Sequence, residues 1–235
     1  MTGARIPLRA RGPRPARPSG GGGGEKQVTG RRDGGEDRGM GESDAAVFLT
    51  TERLVLRRFT AADADRLVEL DGDPAVMRFL TGGRPSPREW VEEELLPQYL
   101  EHYRRYGDLG WWAAEERAGG AFLGWFEFRP TREGERGEVE LGYRLRRAAW
   151  GRGYATEGAR ALVRRGFMEL GVERVVAYTM TVNAGSRRVM EKSGLSYVRT
   201  FREDYPETIP GSEHGEVEYA LTAGDWRARS GIIGA

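Results

Sequence analysis

Six consecutive residues, Trp150, Gly151, Arg152, Gly153, Tyr154 and Ala155, lie between a segment of strand-like alternation and one of helical spacing, and together they could hold an anion. The first N–H groups of a helix have no partner inside it, and small residues there let a ligand come close to the backbone. Those groups and the positive end of the helix dipole attract phosphate. A glycine turn before a helix also serves as an ordinary tight connection, so the six residues alone leave both readings open. Three nucleotide motifs do not fit. A P-loop needs Gly-Lys-Ser or Gly-Lys-Thr, and the only lysines are Lys26 and Lys192. A dinucleotide fingerprint needs a third Gly or Ala where Thr156 stands, and an acid near Val176. A kinase glycine loop joins two strands, whereas this turn opens a helix. Further along, Asn183 and Ser186 stand three residues apart at a predicted helix start, a spacing that capping alone explains.

The elements that must position these residues follow from periodicity. Val139, Leu141, Tyr143 and Leu145 alternate with Glu138, Glu140, Gly142 and Arg144, which predicts a half-buried strand with both carboxylates on one face. From Tyr154 the apolar positions Ala155, Ala159, Leu162, Val163, Phe167 and Leu170 fall at helical spacing, and Gly171 closes the helix. Upstream, Val47 to Phe59 reads as a first strand, Thr60 caps a helix to Leu70, Asp73 and Pro74 open a short helix, and Ser86 and Pro87 open a longer one to Tyr106 that Pro97 would kink. Gly110 to Arg117 and Ala121 to Pro130 read as a hairpin about Ala118-Gly119-Gly120. Downstream come a strand from Glu173 to Thr181, a helix from Asn183 to Gly194, and a last hairpin of Tyr197 to Tyr205 with Glu216 to Leu221. Mostly antiparallel strands around one strand-helix-strand unit predict a mixed sheet of α/β (α+β) class. Apolar residues on both faces of the hairpin strands predict helices on both sides of it.

The sequences ELGYRL, WGRGYATEG and VNAGSRRVMEKSGL, in this order and spacing, resemble the GNAT superfamily of acyl-CoA N-acetyltransferases, and most closely its ribosomal-protein N-terminal acetyltransferase-like branch. The resemblance covers roughly Thr50 to Trp226. It implies a GNAT fold with a splayed central strand, and acetyl-CoA as cosubstrate. It also implies that backbone N–H groups of Trp150, Gly151, Arg152, Gly153, Tyr154 and Ala155 bind the coenzyme pyrophosphate, Trp150 replacing the more usual Arg or Gln. Leu145, Arg146 and Arg147 match the positions that hold the pantetheine arm and thioester, and Asn183 matches one that reaches the coenzyme. Glu140 is the carboxylate the resemblance places best to accept a proton from the amine, directly or through water, with Glu138 behind it and an ordered water as the third choice of base. The tyrosine that often protonates the leaving thiolate would align with Met190, which has no proton to give; the resemblance then implies Ser186 as the better candidate for thiol donor, with a water-mediated donor also open.

Composition bounds the rest. The 235 residues, 38% of them hydrophobic, suit one domain with additional length. Met1 to Ala46 is rich in Gly, Arg and Pro, with five consecutive glycines at Gly20 to Gly24, and reads as a disordered tail. The domain is expected over residues 47–235. That tail holds nine of the 37 basic and six of the 36 acidic residues, so the formal net charge of +1 leaves the remainder slightly acidic and no nucleic-acid partner is expected. There is no cysteine, which excludes disulfides and an acetyl-cysteine intermediate. His102 and His214 lack metal-ligand spacing; both are expected at the surface, and no metal is expected. No run of 18 apolar residues or signal peptide stands out, so a cytoplasmic protein without membrane contact is expected.

The acceptor is left open. Glu133, Glu135 and Glu138, with Glu203, Asp204, Glu207, Glu213 and Glu216, would suit a cationic amine of a small molecule or of a protein N-terminus. Trp111, Trp112 and Trp125 read as core rather than acceptor groove. A non-catalytic acyl-CoA-binding module is the alternative reading, and a homodimer is compatible with the sequence.

Overall fold

The computed structural model describes residues 45–202 and 208–231. The predicted tail to residue 44, and the part of the last hairpin at 203–207, lie outside the described residues. Among the described residues one sheet of eight strands runs in the order β1-β2-β3-β4-β5-β6-β8-β7. The strands are β1 (Val47–Thr50), β2 (Leu54–Arg57), β3 (Gly110–Glu116), β4 (Phe122–Pro130), β5 (Glu138–Leu145), β6 (Arg174–Met180), β7 (Ser196–Phe201) and β8 (Glu216–Thr222). Every pairing is antiparallel except β5 with β6. Helices α1 (Ala64–Asp71), α2 (Pro74–Thr81), α3 (Arg88–Trp90) and α4 (Leu96–Tyr106) precede β3. Helix α5 (Tyr154–Glu169) joins β5 to β6, α6 (Ala184–Lys192) joins β6 to β7, and α7 (Ala223–Ser230) follows β8.

The expected single strand from Val47 to Phe59 is instead a hairpin. Thr51 folds the chain back: its N–H donates to the Leu54 carbonyl (2.9 Å) and its hydroxyl accepts from the Leu54 N–H (2.9 Å). Alternation alone conceals such a turn, because a hydroxyl can replace a strand partner. The kink expected at Pro97 is a π turn over Val91–Leu95, in which the Leu96 N–H reaches the Val91 carbonyl five residues back. Proline has no N–H for the carbonyl four residues before it, and widening the preceding turn accommodates that loss. Asp73 caps α2 as expected, accepting from the Ala75 N–H at 2.8 Å.

Helices cover both faces of the sheet. Gly158 and Gly166 on α5 press against the rings of Phe126 and Phe128 on β4. A Cβ at Gly158 would stand 2.3 Å from Phe126. On the other face Trp111 stacks on Tyr99 of α4 at 4.5 Å. Trp111, Trp112 and Trp125 are 3%, 0% and 2% exposed, so they are core, as expected. His102 departs from its expected surface place. It is half-buried against Tyr106 (4.4 Å) and Trp111 (5.0 Å), and its Nε2 has no hydrogen-bond partner among the described residues. Burial, then the nearby Arg129 and Arg105, lowers its pKa to about 4. His214 is exposed, 3.5 Å from Glu213.

Candidate active site

The parallel contact between β5 and β6 is short. It is registered only at Glu138↔Arg174, Val139↔Val175 and Glu140↔Val176. Beyond these, β6 pairs with β8 from Ala177 to Met180 while β5 continues alongside β4 to Leu145. The two strands therefore splay apart past Glu140, leaving one side of Leu141 to Leu145 without a strand neighbour. An open strand edge of this kind offers N–H and C=O groups to an extended ligand.

Above the open end sits the glycine turn. Gly151 (φ 73°) and Gly153 (φ 85°) are left-handed, a conformation that costs other residues energy, and Gly153 is the N-cap of α5 without a side-chain hydrogen bond. The N–H groups of the first turn are thus not capped from that position. Trp150 turns inward and donates from its indole to the Leu145 carbonyl at 2.7 Å, which ties the turn to the strand that leads into it. Arg53 was missed by the sequence reading. Its backbone and side chain donate to Glu157 in the first turn of α5 (2.9 and 2.7 Å) and its guanidinium to the Arg152 carbonyl (2.9 Å). The β1–β2 turn therefore clamps the start of α5 and leaves a guanidinium 3.3 Å from where a Gly153 Cβ would lie. Arg146 and Arg147, with Glu69, Leu70, Asp73, Val76 and Ala148, line an open cleft of about 610 Å³ between α1, α2 and the end of β5.

At the floor of the splay Tyr143 of β5 meets α6. Its hydroxyl lies 2.9 Å from the Ser186 carbonyl and 3.0 Å from Ser186 Oγ. Asn183 accepts from the Ser186 N–H (3.2 Å) and donates to Thr179 Oγ1 on β6 (3.0 Å). Asn183 is therefore a helix cap, as its spacing implied, and also a link between the splayed strand and the helix. Ser186 is fully buried and Met190 packs in the core. Burial raises the Tyr143 pKa, so its phenol stays protonated.

Residues 53–196 match the acetyltransferase (GNAT) domain family. The chain belongs to the GNAT family of acetyl-CoA-dependent acetyltransferases. Among its relatives, the FsC-acetyl coenzyme A-N(2)-transacetylase of Aspergillus fumigatus is 36% identical over 187 residues, covering 76% of this chain and 77% of that protein. A GNAT-family acetyltransferase structure from Bacillus anthracis has a TM-score of 0.62 at 23% identity, covering 74% of this chain and 98% of that one. The ribosomal L7/L12 alpha-N-protein acetyltransferase RimL, in complex with coenzyme A, has a TM-score of 0.65 at 17% identity, covering 77% and 99%. The GNAT fold expected from the sequence, with its splayed central strand, is the fold observed.

The carboxylates of this GNAT chain fall in two environments. Glu138 bonds to Thr131 (3.0 Å) and pairs with Arg174. Burial alone would raise its pKa, but these partners outweigh burial and lower it. Glu140 is 5% exposed and its Oε2 accepts from Arg129 at 2.8 Å. The same guanidinium pairs through Nε with Glu127 of β4, a residue the sequence reading passed over as part of an apolar strand. Glu127 is 1% exposed, and burial, the Glu140 charge adding to it, pushes its pKa up to about 7 against the pull of Arg129. Arg144 and Asp71 form a second buried ion pair on the same face. Among the described residues no cluster of three or more His, Asp or Glu side chains is placed to hold a metal, and no helix is long and apolar enough to cross a membrane.

Proposed function

We propose that this acetyltransferase passes the acetyl group directly from acetyl-CoA to the amine of a small molecule or of a protein N-terminus. The observation that carries the reading is the early end of the β5–β6 pairing at Glu140↔Val176, directly below a helix start opened by Gly151 and Gly153. In this account the N–H groups of Trp150 to Ala155 hold the pyrophosphate, and the open edge of β5 that ends at Leu145, with Arg146 and Arg147 directly after it, holds the pantetheine arm. Asn183 steadies the opposite wall. Attack requires a neutral amine, so a carboxylate on the β4–β5 face that carries Glu140 receives the amine's proton. The amine nitrogen bonds to the thioester carbon, the carbon–sulfur bond breaks, and the sulfur takes a proton, for which Ser186 is the candidate donor. The absence of cysteine supports transfer in one chemical step rather than through an enzyme thiol.

Among similar proteins, one relative is named for transfer to an N(2) nitrogen and RimL for a protein alpha-amine, and both names fit an amine acceptor. The test is turnover of acetyl-CoA across a panel of small amines and N-terminal peptides, with free thiol and acetylated product both measured. Product from one class alone identifies the acceptor. Thiol release without any N-acetylated product would refute the proposal.

A further inference from the structure

Glu127, Arg129 and Glu140 form one unit across β4 and β5. Arg129 stands opposite Glu140 in the register and Glu127 opposite Gly142. Side chains two apart on a strand share a face, so the arginine lies between two carboxylates and engages both. Among the described residues each carboxylate keeps one buried oxygen without a partner, Oε2 of Glu127 and Oε1 of Glu140. Such oxygens cost stability unless something binds them. The register also sets their order along the site. Glu127 lies two residues nearer than Glu140 to Leu145, where the open edge and the glycine turn meet.

The charges of this layer do not balance. Among the described residues Asp71, Glu127 and Glu140 pair with Arg129 and Arg144 alone. Around Glu127 are Arg129 on its own strand, Glu140 and Arg144 on β5, and Trp111 on β3. Tyr99 and His102 of α4 pack on the same face, and Asp71 of α1 reaches it through Arg144. Burial keeps the imidazole of His102 neutral at pH 7, so it does not supply the missing positive charge. One cation completes the layer: a proton on a carboxyl, or an ammonium group beside it.

We propose that Glu127 is the catalytic proton acceptor for a cationic amine substrate, and that Glu140 is a positioning residue that tunes Glu127 through Arg129. The ammonium enters against the free Oε2 of Glu127 and gives it one proton, which leaves a neutral amine whose lone pair attacks the thioester carbon. As the C–S bond breaks, the second proton of the nitrogen is lost and the thiolate gains one, so the net release is one proton per acetyl group transferred. The proposal rests on the acetyl-transfer reading above and narrows its acceptor to amines that arrive charged.

The experiment follows the Glu127 carboxyl by carbon NMR in glutamate-labelled protein, alongside kcat against pH for an amine that the wild type acetylates. The expected midpoint is near neutrality in the wild type, and lower in Glu140→Gln, because removing a neighbouring negative charge eases ionisation. Glu127→Gln is expected to lose roughly 10²- to 10⁴-fold in kcat with its acid limb abolished, while Glu140→Gln keeps a limb moved to lower pH. Acetyl-CoA affinity is expected to be unchanged in both. If Glu127→Gln does not fold, the wild-type and Glu140→Gln titrations decide alone. A Glu127 midpoint at the ordinary carboxylate value, or a folded Glu127→Gln with wild-type kcat and limb, overturns the proposal. A wild type that binds no acetyl-CoA and acetylates no amine defeats the acetyl-transfer reading itself, which is a different result.

Discussion

Tyr143 on the splayed strand donates its hydroxyl hydrogen to the Ser186 carbonyl, 2.9 Å away on helix α6. With that hydrogen committed, the Ser186 hydroxyl donates in turn to the tyrosine oxygen at 3.0 Å. The two walls of the gap are thereby joined at its floor, where no strand pairing holds them, and the serine's own proton points at the phenol. Ser186 can protonate a departing thiolate only by rotating away from Tyr143, which can then take the hydrogen bond back from a solvent molecule or leave it unmade.

Tyr143→Phe therefore has two expected effects. It leaves the buried Ser186 carbonyl short of a donor, at a cost of about 1–2 kcal/mol in stability, read by urea denaturation. It also frees the Ser186 hydroxyl, so turnover at saturating acetyl-CoA should fall less than in Ser186→Ala. A larger loss in Tyr143→Phe would move the thiol donor role to the tyrosine.

Two glycines of the same helix separate binding from folding. Gly153, left-handed at φ 85° and exposed, should on change to Val lose about 10-fold or more in acetyl-CoA affinity, about 1.4 kcal/mol, measured by calorimetry on folded protein. Gly158→Ala puts a methyl group into the Phe126 ring and should instead lower stability by about 1–3 kcal/mol, read as a lower denaturation midpoint. Unchanged affinity in Gly153→Val would remove the cradle from the account.

Glu127 ties stability to pH. Its folded pKa, about 7, stands above the ordinary carboxylate value of 4.5, so the folded state holds a proton that the unfolded state releases between them. Its contribution is full below about pH 4.5 and is lost as pH rises to 7. His102 has the opposite sign: held neutral with a pKa near 4, it weakens the fold as pH falls from 6.5. In thermal melts from pH 4 to 8, Glu127→Gln should flatten the decline on the alkaline side, and His102→Phe the decline on the acid side. Identical profiles in wild type and Glu127→Gln would contradict the raised pKa.

The boundary of the domain is testable by truncation. The Arg58 N–H donates to the Ala46 carbonyl at 3.0 Å, so Ala46 belongs with β2 rather than with the segment before it. A chain beginning at Ala45 should keep wild-type melting temperature and acetyl-CoA affinity, whereas one beginning at Leu49 should melt lower, since it also loses Phe48 stacked on Trp112 at 3.7 Å. A drop in the chain beginning at Ala45 would assign structure to the first 44 residues.

Glu138 to Leu145 and Tyr154 to Leu170 were legible because each keeps one period over its whole length, and the change of period marked the turn between them. The break at Thr51 was not, since a hydroxyl replaced a strand partner without disturbing the alternation. Helix α7 was missed too, although Thr222 accepting from the Asp225 N–H (3.1 Å) is a capping signal present in the sequence. Glu127 was hidden among the aromatic residues of FLGWFEF, where a lone carboxylate is itself the signal: such a group on a buried strand must be paired, protonated or used. That Arg129 bridges it to Glu140 depends on the β4–β5 register, which spacing within one strand cannot show.

Direct acetyl transfer from acetyl-CoA to an amine is tested by quantitative mass spectrometry of a single-turnover mixture of protein, acetyl-CoA and amine panel, with free thiol counted in the same sample. One thiol is expected per N-acetylated acceptor, with no acetylated protein side chain as an intermediate. Acetyl appearing first on the protein, or thiol released with no acetylated amine, would contradict it.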